Sequence, residues 1–126
     1  MEFKFIKFDG RNARLENRIT ITKSNSIGFP QKFYEDNGIK AFKYAVLFWD
    51  DENKAIGIHF TNEDGEKSKF SIMHSKIGYG GSVVARSFFK TYNIDLDAHH
   101  GRFDWEKTNF NGQEIFVIKL DKNKFV

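Results

Sequence analysis

Cysteine is absent from the 126 residues, so neither a disulfide nor a thiolate metal site is available. Proline occurs once, at Pro30, and the rest of the chain is free of the residue that central strands exclude. No apolar run approaches the roughly 18 residues that a membrane-crossing helix needs. The opening Met1-Glu2-Phe3-Lys4-Phe5-Ile6-Lys7-Phe8 breaks its apolar residues with charge, unlike a signal-peptide core. A cytoplasmic protein with no membrane partner is therefore the expectation. What the chain has in quantity is phenylalanine, 15 residues of it, and aromatics suit a half-buried pleated surface. One domain over residues 1–126 is the size expected for a single core.

Charge is unevenly placed. From residue 67 to 90 there is no acid, while Lys67, Lys69, Lys76, Arg86 and Lys90 give +5. Residues 50–66 carry Asp50, Asp51, Glu52, Glu63, Asp64 and Glu66 against Lys54, giving −5. A net charge of +3 thus conceals a segregation that can present one basic face.

Periodicity points to an α+β fold, a small, mostly antiparallel β-barrel or curved sheet with two short helices. Ile19 and Ile21 alternate with Thr20 and Thr22, and the same period of two recurs at 56–60, 70–72 and 115–120. Asp9-Gly10 is a hairpin signal, which makes residues 2–23 an N-terminal β-hairpin. Lys67 to His74 reads as one bridging strand. Pro30 suits the start of a helix running to Asn37, with Gly38 as its left-handed stop. A second helix runs from Ala85 to Tyr92, and Asn93 holds the matching stop position. The chain also looks duplicated, with a strand-helix-hairpin repeat at 26–60 and again at 81–120. An offset of 55 aligns Phe33 with Phe88, Tyr34 with Phe89 and Ile39 with Ile94, and an offset of 60 aligns Ile56 with Phe116 and Ile58 with Ile118.

Ile19-Thr-Ile-Thr-Lys23, Ser26-Ile-Gly-Phe-Pro-Gln-Lys-Phe33, Gly38-Ile39 and Lys54-Ala-Ile-Gly-Ile58 together resemble the AbrB/SpoVT family of swapped-hairpin transcription factors. Ser24-Asn25-Ser26 stands where that family usually has Gly-Arg before its second strand. The resemblance covers about a third of the chain. It implies interlocked strands, a DNA ligand and basic strand-connecting loops that grip it, and a duplicated chain could build the equivalent barrel alone.

The basic residues point the same way on their own chemistry. Arg11, Arg14, Arg18 and Lys23 in the first region, with Lys67, Lys69, Lys76, Arg86 and Lys90 around a glycine loop, are candidates for salt-sensitive phosphate contacts. Tyr79, within Gly78-Tyr-Gly-Gly81, is a candidate for stacking on an unpaired base, although an aromatic beside glycine also serves to anchor a loop. DNA is the first expected partner and RNA the second, for a monomer or a homodimer without cofactor. Two other classes stay open. One is a small protein-interaction module, an inhibitor or adaptor using the acidic hairpin Asp50 to Lys54 or an aromatic patch. The other is a metal-dependent hydrolase around Asp95, Asp97, His99, His100 and Asp104, a set that an exposed polar connection accounts for equally. No Gly-x-Ser-x-Gly elbow is present, so nucleophilic catalysis has no candidate and a non-enzymatic protein is expected.

Overall fold

Ten strands and two six-residue helices follow one another in a computed structural model that describes residues 2–7, 16–77 and 80–121. In chain order they are β1 (Ile19–Ile21), β2 (Ser26–Pro30), α1 (Gln31–Asp36), β3 (Tyr44–Asp50), β4 (Ala55–Thr61), β5 (Phe70–Ser71), β6 (Met73–His74), β7 (Gly80–Val84), α2 (Arg86–Thr91), β8 (Gly101–Phe103), β9 (Trp105–Phe110) and β10 (Gln113–Lys119). Every strand pairing is antiparallel, and the strands form two five-stranded sheets. Sheet A has the order β6-β7-β2-β1-β8, and sheet B the order β5-β3-β4-β10-β9. The fold is thus α+β, with two sheets standing where the sequence pointed to a barrel or one curved sheet.

Local chemistry accounts for the elements. Ile19 and Ile21 of β1, and Ile27 and Phe29 of β2, are buried while the residues between them are less so. Pro30 ends β2 with φ −68°, already suited to a helix start, and α1 follows at once. Gly38 adopts φ 63° and Asn93 φ 54°, so both stop positions take the left-handed conformation expected of them. From α1, Phe33 enters the core and stands with its ring centroid 5.1 Å from both Trp105 and Phe116 and 5.8 Å from Phe29. Edge-to-face contacts of this kind add to the apolar area that such rings bury. One helix therefore ties sheet A to sheet B.

Three features differ from the sequence reading. Residues 2–7 carry no strand, and Phe3, Phe5 and Ile6 are exposed. The cause is that both edges of β1 are taken, by β2 (Thr20 opposite Gly28) and by β8 (Ile19 opposite Phe103), so no ladder edge remains for an N-terminal hairpin. The bridging strand at 67–74 divides at buried Ile72, giving β5 to sheet B and β6 to sheet A. In the same way Asp104 alone separates β8 in sheet A from β9 in sheet B. No helix among the described residues is long and apolar enough to cross a membrane.

Candidate nucleic-acid interface

The turn between β1 and β2 is built by side chains as well as backbone. Thr22 N–H donates to Ser26 O (3.0 Å), Asn25 N–H to Thr22 O (3.3 Å), and Ser26 N–H to Thr22 Oγ1 (3.2 Å). Asn25 sits at φ 70°, a conformation Asn tolerates better than most residues. This holds exposed Lys23 at the tip of a fixed turn. The Asn25 carbonyl then accepts from Ala85 N–H at 2.7 Å, which docks the turn on the first residues of α2. Arg86 and Lys90, exposed and one helical turn apart on α2, flank a cavity of about 450 Å³ whose other walls include Asn25, Asn93 and Asp95. Lys23, Arg86 and Lys90 thus occupy one end of sheet A, within an acid-free part of each segment.

A second turn, between β6 and β7, carries exposed Lys76 and is closed by Ser75 N–H to Gly80 O at 2.9 Å. Because β2 and β7 are antiparallel, with Ser26 opposite Val84 and Pro30 opposite Gly80, the two turns lie at opposite ends of the pair. Five residues of strand put them roughly 17 Å apart. Between them the outer face of sheet A forms a trough of about 490 Å³, lined by small groups that include Thr20, Gly28, Gly81 and Ser82. At the Lys76 end, Tyr34 O–H meets His74 Nδ1 at 2.6 Å and His74 Nε2–H donates to Phe42 O at 2.8 Å. Burial raises the Tyr34 phenol above its ordinary value.

The other expected basic residues go elsewhere. Arg11, Arg14 and Tyr79 lie outside the described residues. Arg18 is half-buried against Glu16, its Nε and Nη2 reaching the two carboxylate oxygens at 3.1 and 2.9 Å, so its charge is largely neutralised. Arg102, which the sequence reading did not single out, reaches the same carboxylate at 3.5 Å. The Arg18 guanidinium, with the N–H groups of Arg18 and Asn17, holds the Glu16 carboxyl down at about 2 against the opposing effect of burial. Lys67 and Lys69 belong to the connection after β4, next to Glu63, Asp64 and Glu66. Lys69 is consumed there, its Nζ donating to the carbonyls of Asp64 (2.9 Å) and Glu66 (3.2 Å) and standing 5.0 Å from the Tyr44 ring centroid.

In the Asp95 to Asp104 connection, Asp95 Oδ1 accepts from Asp97 N–H and His100 Nδ1–H donates to Leu96 O. The side chains there hold their own backbone turn. Among the described residues no three His, Asp or Glu side chains are grouped to hold a metal. The cavity residues that the sequence reading did not count toward the site are Asn25 and Asn93, the latter read there only as a helix stop. Their signal was present, since both are Asn at left-handed positions beside basic residues. Set against family models, curated proteins and solved structures, the chain matches none of them.

Proposed function

We propose that this chain is a non-enzymatic nucleic-acid-binding protein with DNA as its ligand and transcriptional regulation as its role. It is built as two copies of a β-β-α-β-β unit, in the manner of the swapped-hairpin family it resembles. The first copy is β1, β2, α1, β3 and β4; the second is β5 with β6, then β7, α2, β8 with β9, and β10. Register supports the duplication. Ile58 faces Phe116 and Ile56 faces Ile118 across the central pair Gly57 and Val117, so an axis through that pair exchanges residues 60 apart. Ile27 faces Val83 and Gly28 faces Ser82, which an axis between the two pairs exchanges at the offset of 55. Likewise β1 pairs with β8 as β5 pairs with β3. The one-residue links at Ile72 and Asp104 join the two sheets at both margins, which favours a small barrel.

The observation that carries the DNA reading is the 2.7 Å bond from Ala85 N–H to Asn25 O. It brings the Lys23 turn, from the first copy, to Arg86 and Lys90 on the helix of the second. Charges that would repel one another are held together there by the backbone, and an anion relieves that repulsion. The α1 end is different: Lys32 is paired with Asp36 at 2.9 Å and Glu35 is nearby, whereas Arg86 and Lys90 share their cavity with the single acid Asp95.

The test is a gel-shift titration of duplex DNA with wild type and Arg86→Ala/Lys90→Ala over a range of salt. Wild type binds at low salt, and the double variant loses up to about 1.8 from the slope of log affinity against log salt, about 0.9 for each phosphate contact removed. Single-stranded DNA and RNA competitors rank the ligands. Absence of wild-type binding even in dilute salt removes this reading.

A further inference from the structure

The outer face of sheet B carries a groove of about 360 Å³ that the DNA reading does not use. Phe48 and Phe110 form its sides, their ring centroids 5.6 Å apart, with Gly57 and Val117 among the residues lining it. Gly57 keeps the space open, since a Cβ there would come within 3.2 Å of Ile115 Cδ1 and 3.4 Å of Phe48 Cβ. At one end stand Asp50 and Asp51, and hydrogen bonds from Asn53, Lys54 and Trp49 hold both carboxyls below their usual range, so they stay ionised at neutral pH.

The same chain carries an unmatched complement to this groove. Phe3 is 68% exposed, Phe5 87% and Ile6 93%, and Phe3 and Phe5 stack at 5.3 Å with no cover among the described residues. Lys4 and Lys7 interleave them. An extended six-residue segment spans about 20 Å and sends alternate side chains to opposite sides, so Phe3 and Phe5 share a side. Stacked apolar rings left in water are a surface seeking a partner.

We propose that the groove of sheet B receives residues 2–7 of a second copy, and that the exchange is reciprocal, making a homodimer. Phe3 and Phe5 lie along the groove against Val117 and the outer edges of Phe48 and Phe110, while Lys7, on the same side of the segment, approaches Asp50 and Asp51. Charge complementarity selects this occupant: the groove end carries Asp50 and Asp51 against Lys54 alone, and the segment carries Lys4 and Lys7 against Glu2 alone. Every copy carries both halves of the contact, so a two-fold pair makes it twice.

Light scattering after gel filtration tests this on the full chain. Wild type is expected at twice the 14.7 kDa chain mass. Phe5→Asp/Ile6→Asp, which alters exposed residues alone, is expected at one chain mass, as is the groove variant Val117→Lys. Because the chain has no cysteine, Lys7→Cys chains mixed with Asp51→Cys chains report the contact directly, as a disulfide joining the two kinds. Wild type at one chain mass overturns the proposal, and so does a dimer that survives both variants. A disulfide that forms only within chains carrying both cysteines also overturns it, by placing the segment in its own groove.

Discussion

Gly80 lies so close to Phe29 that a Cβ added to it would stand 2.5 Å from the Phe29 carbonyl oxygen, and its φ of 131° is one that side chains rarely adopt. This is where β7 meets the end of β2 and where the Lys76 turn ends. Gly80→Ala therefore meets both a backbone clash and backbone strain, and should cost about 3 kcal/mol. Gly65→Ala, with nothing within 4 Å of its Cβ, should stay within about 0.5 kcal/mol of wild type. Urea titration of the two variants distinguishes the site from a general intolerance of alanine.

Glu16 predicts a pH dependence. Its carboxyl is held at about 2 in the fold against 4.5 for the free group, so the unfolded chain takes up the proton first as pH falls. The stabilisation is complete above pH 4.5 and is lost as pH falls from there to about 2. Half-exposed Arg18 is screened by solvent, so the contribution is on the order of 1–2 kcal/mol rather than the full linkage value. Glu16→Gln should lower stability by that amount at pH 7 and flatten the acid limb of a plot of stability against pH.

Lys23 and Lys69 should behave oppositely. Lys69 is bound to the carbonyls of Asp64 and Glu66, so Lys69→Ala should cost about 1 kcal/mol of stability and leave DNA affinity unchanged. Exposed Lys23 has its turn built by Thr22 and Ser26, so Lys23→Ala should weaken DNA binding while the melting temperature stays put. Paired gel shifts and thermal melts read both. Loss of affinity in Lys69→Ala alone would move the interface to the other sheet.

Tyr34 and His74 form the polar link between α1 and β6. Tyr34→Phe leaves His74 Nδ1 without its partner and should cost about 1–2 kcal/mol. Burial raises the Tyr34 phenol above 10.0, so the folded protein keeps that proton longer than the unfolded chain. Its contribution is whole below pH 10 and falls as pH rises beyond it. Tyr34→Phe should therefore remove part of the loss of stability in alkali.

The elements themselves were legible in the chain. Alternation at Ile19 and Ile21, and again at 115–118, makes strands because pleated backbone sends successive side chains to opposite faces. Pro30, Gly38 and Asn93 bound the helices because each fits one backbone conformation that its neighbours do not. Tertiary structure alone decided which edges meet. The hairpin expected at 2–23 lost to β8, whose partnership with β1 joins residues 80 to 84 apart in the chain, and no local preference encodes such a choice. The same holds for the charges. Composition counted nine basic candidates without showing that Arg18 and Lys69 close local contacts with Glu16 and with the carbonyls of Asp64 and Glu66, and only packing could bring Arg102 to Glu16. It also brought the Lys23 turn to Arg86 and Lys90, which flank one cavity, because the bond from Ala85 N–H to Asn25 O joins residues far apart in the chain.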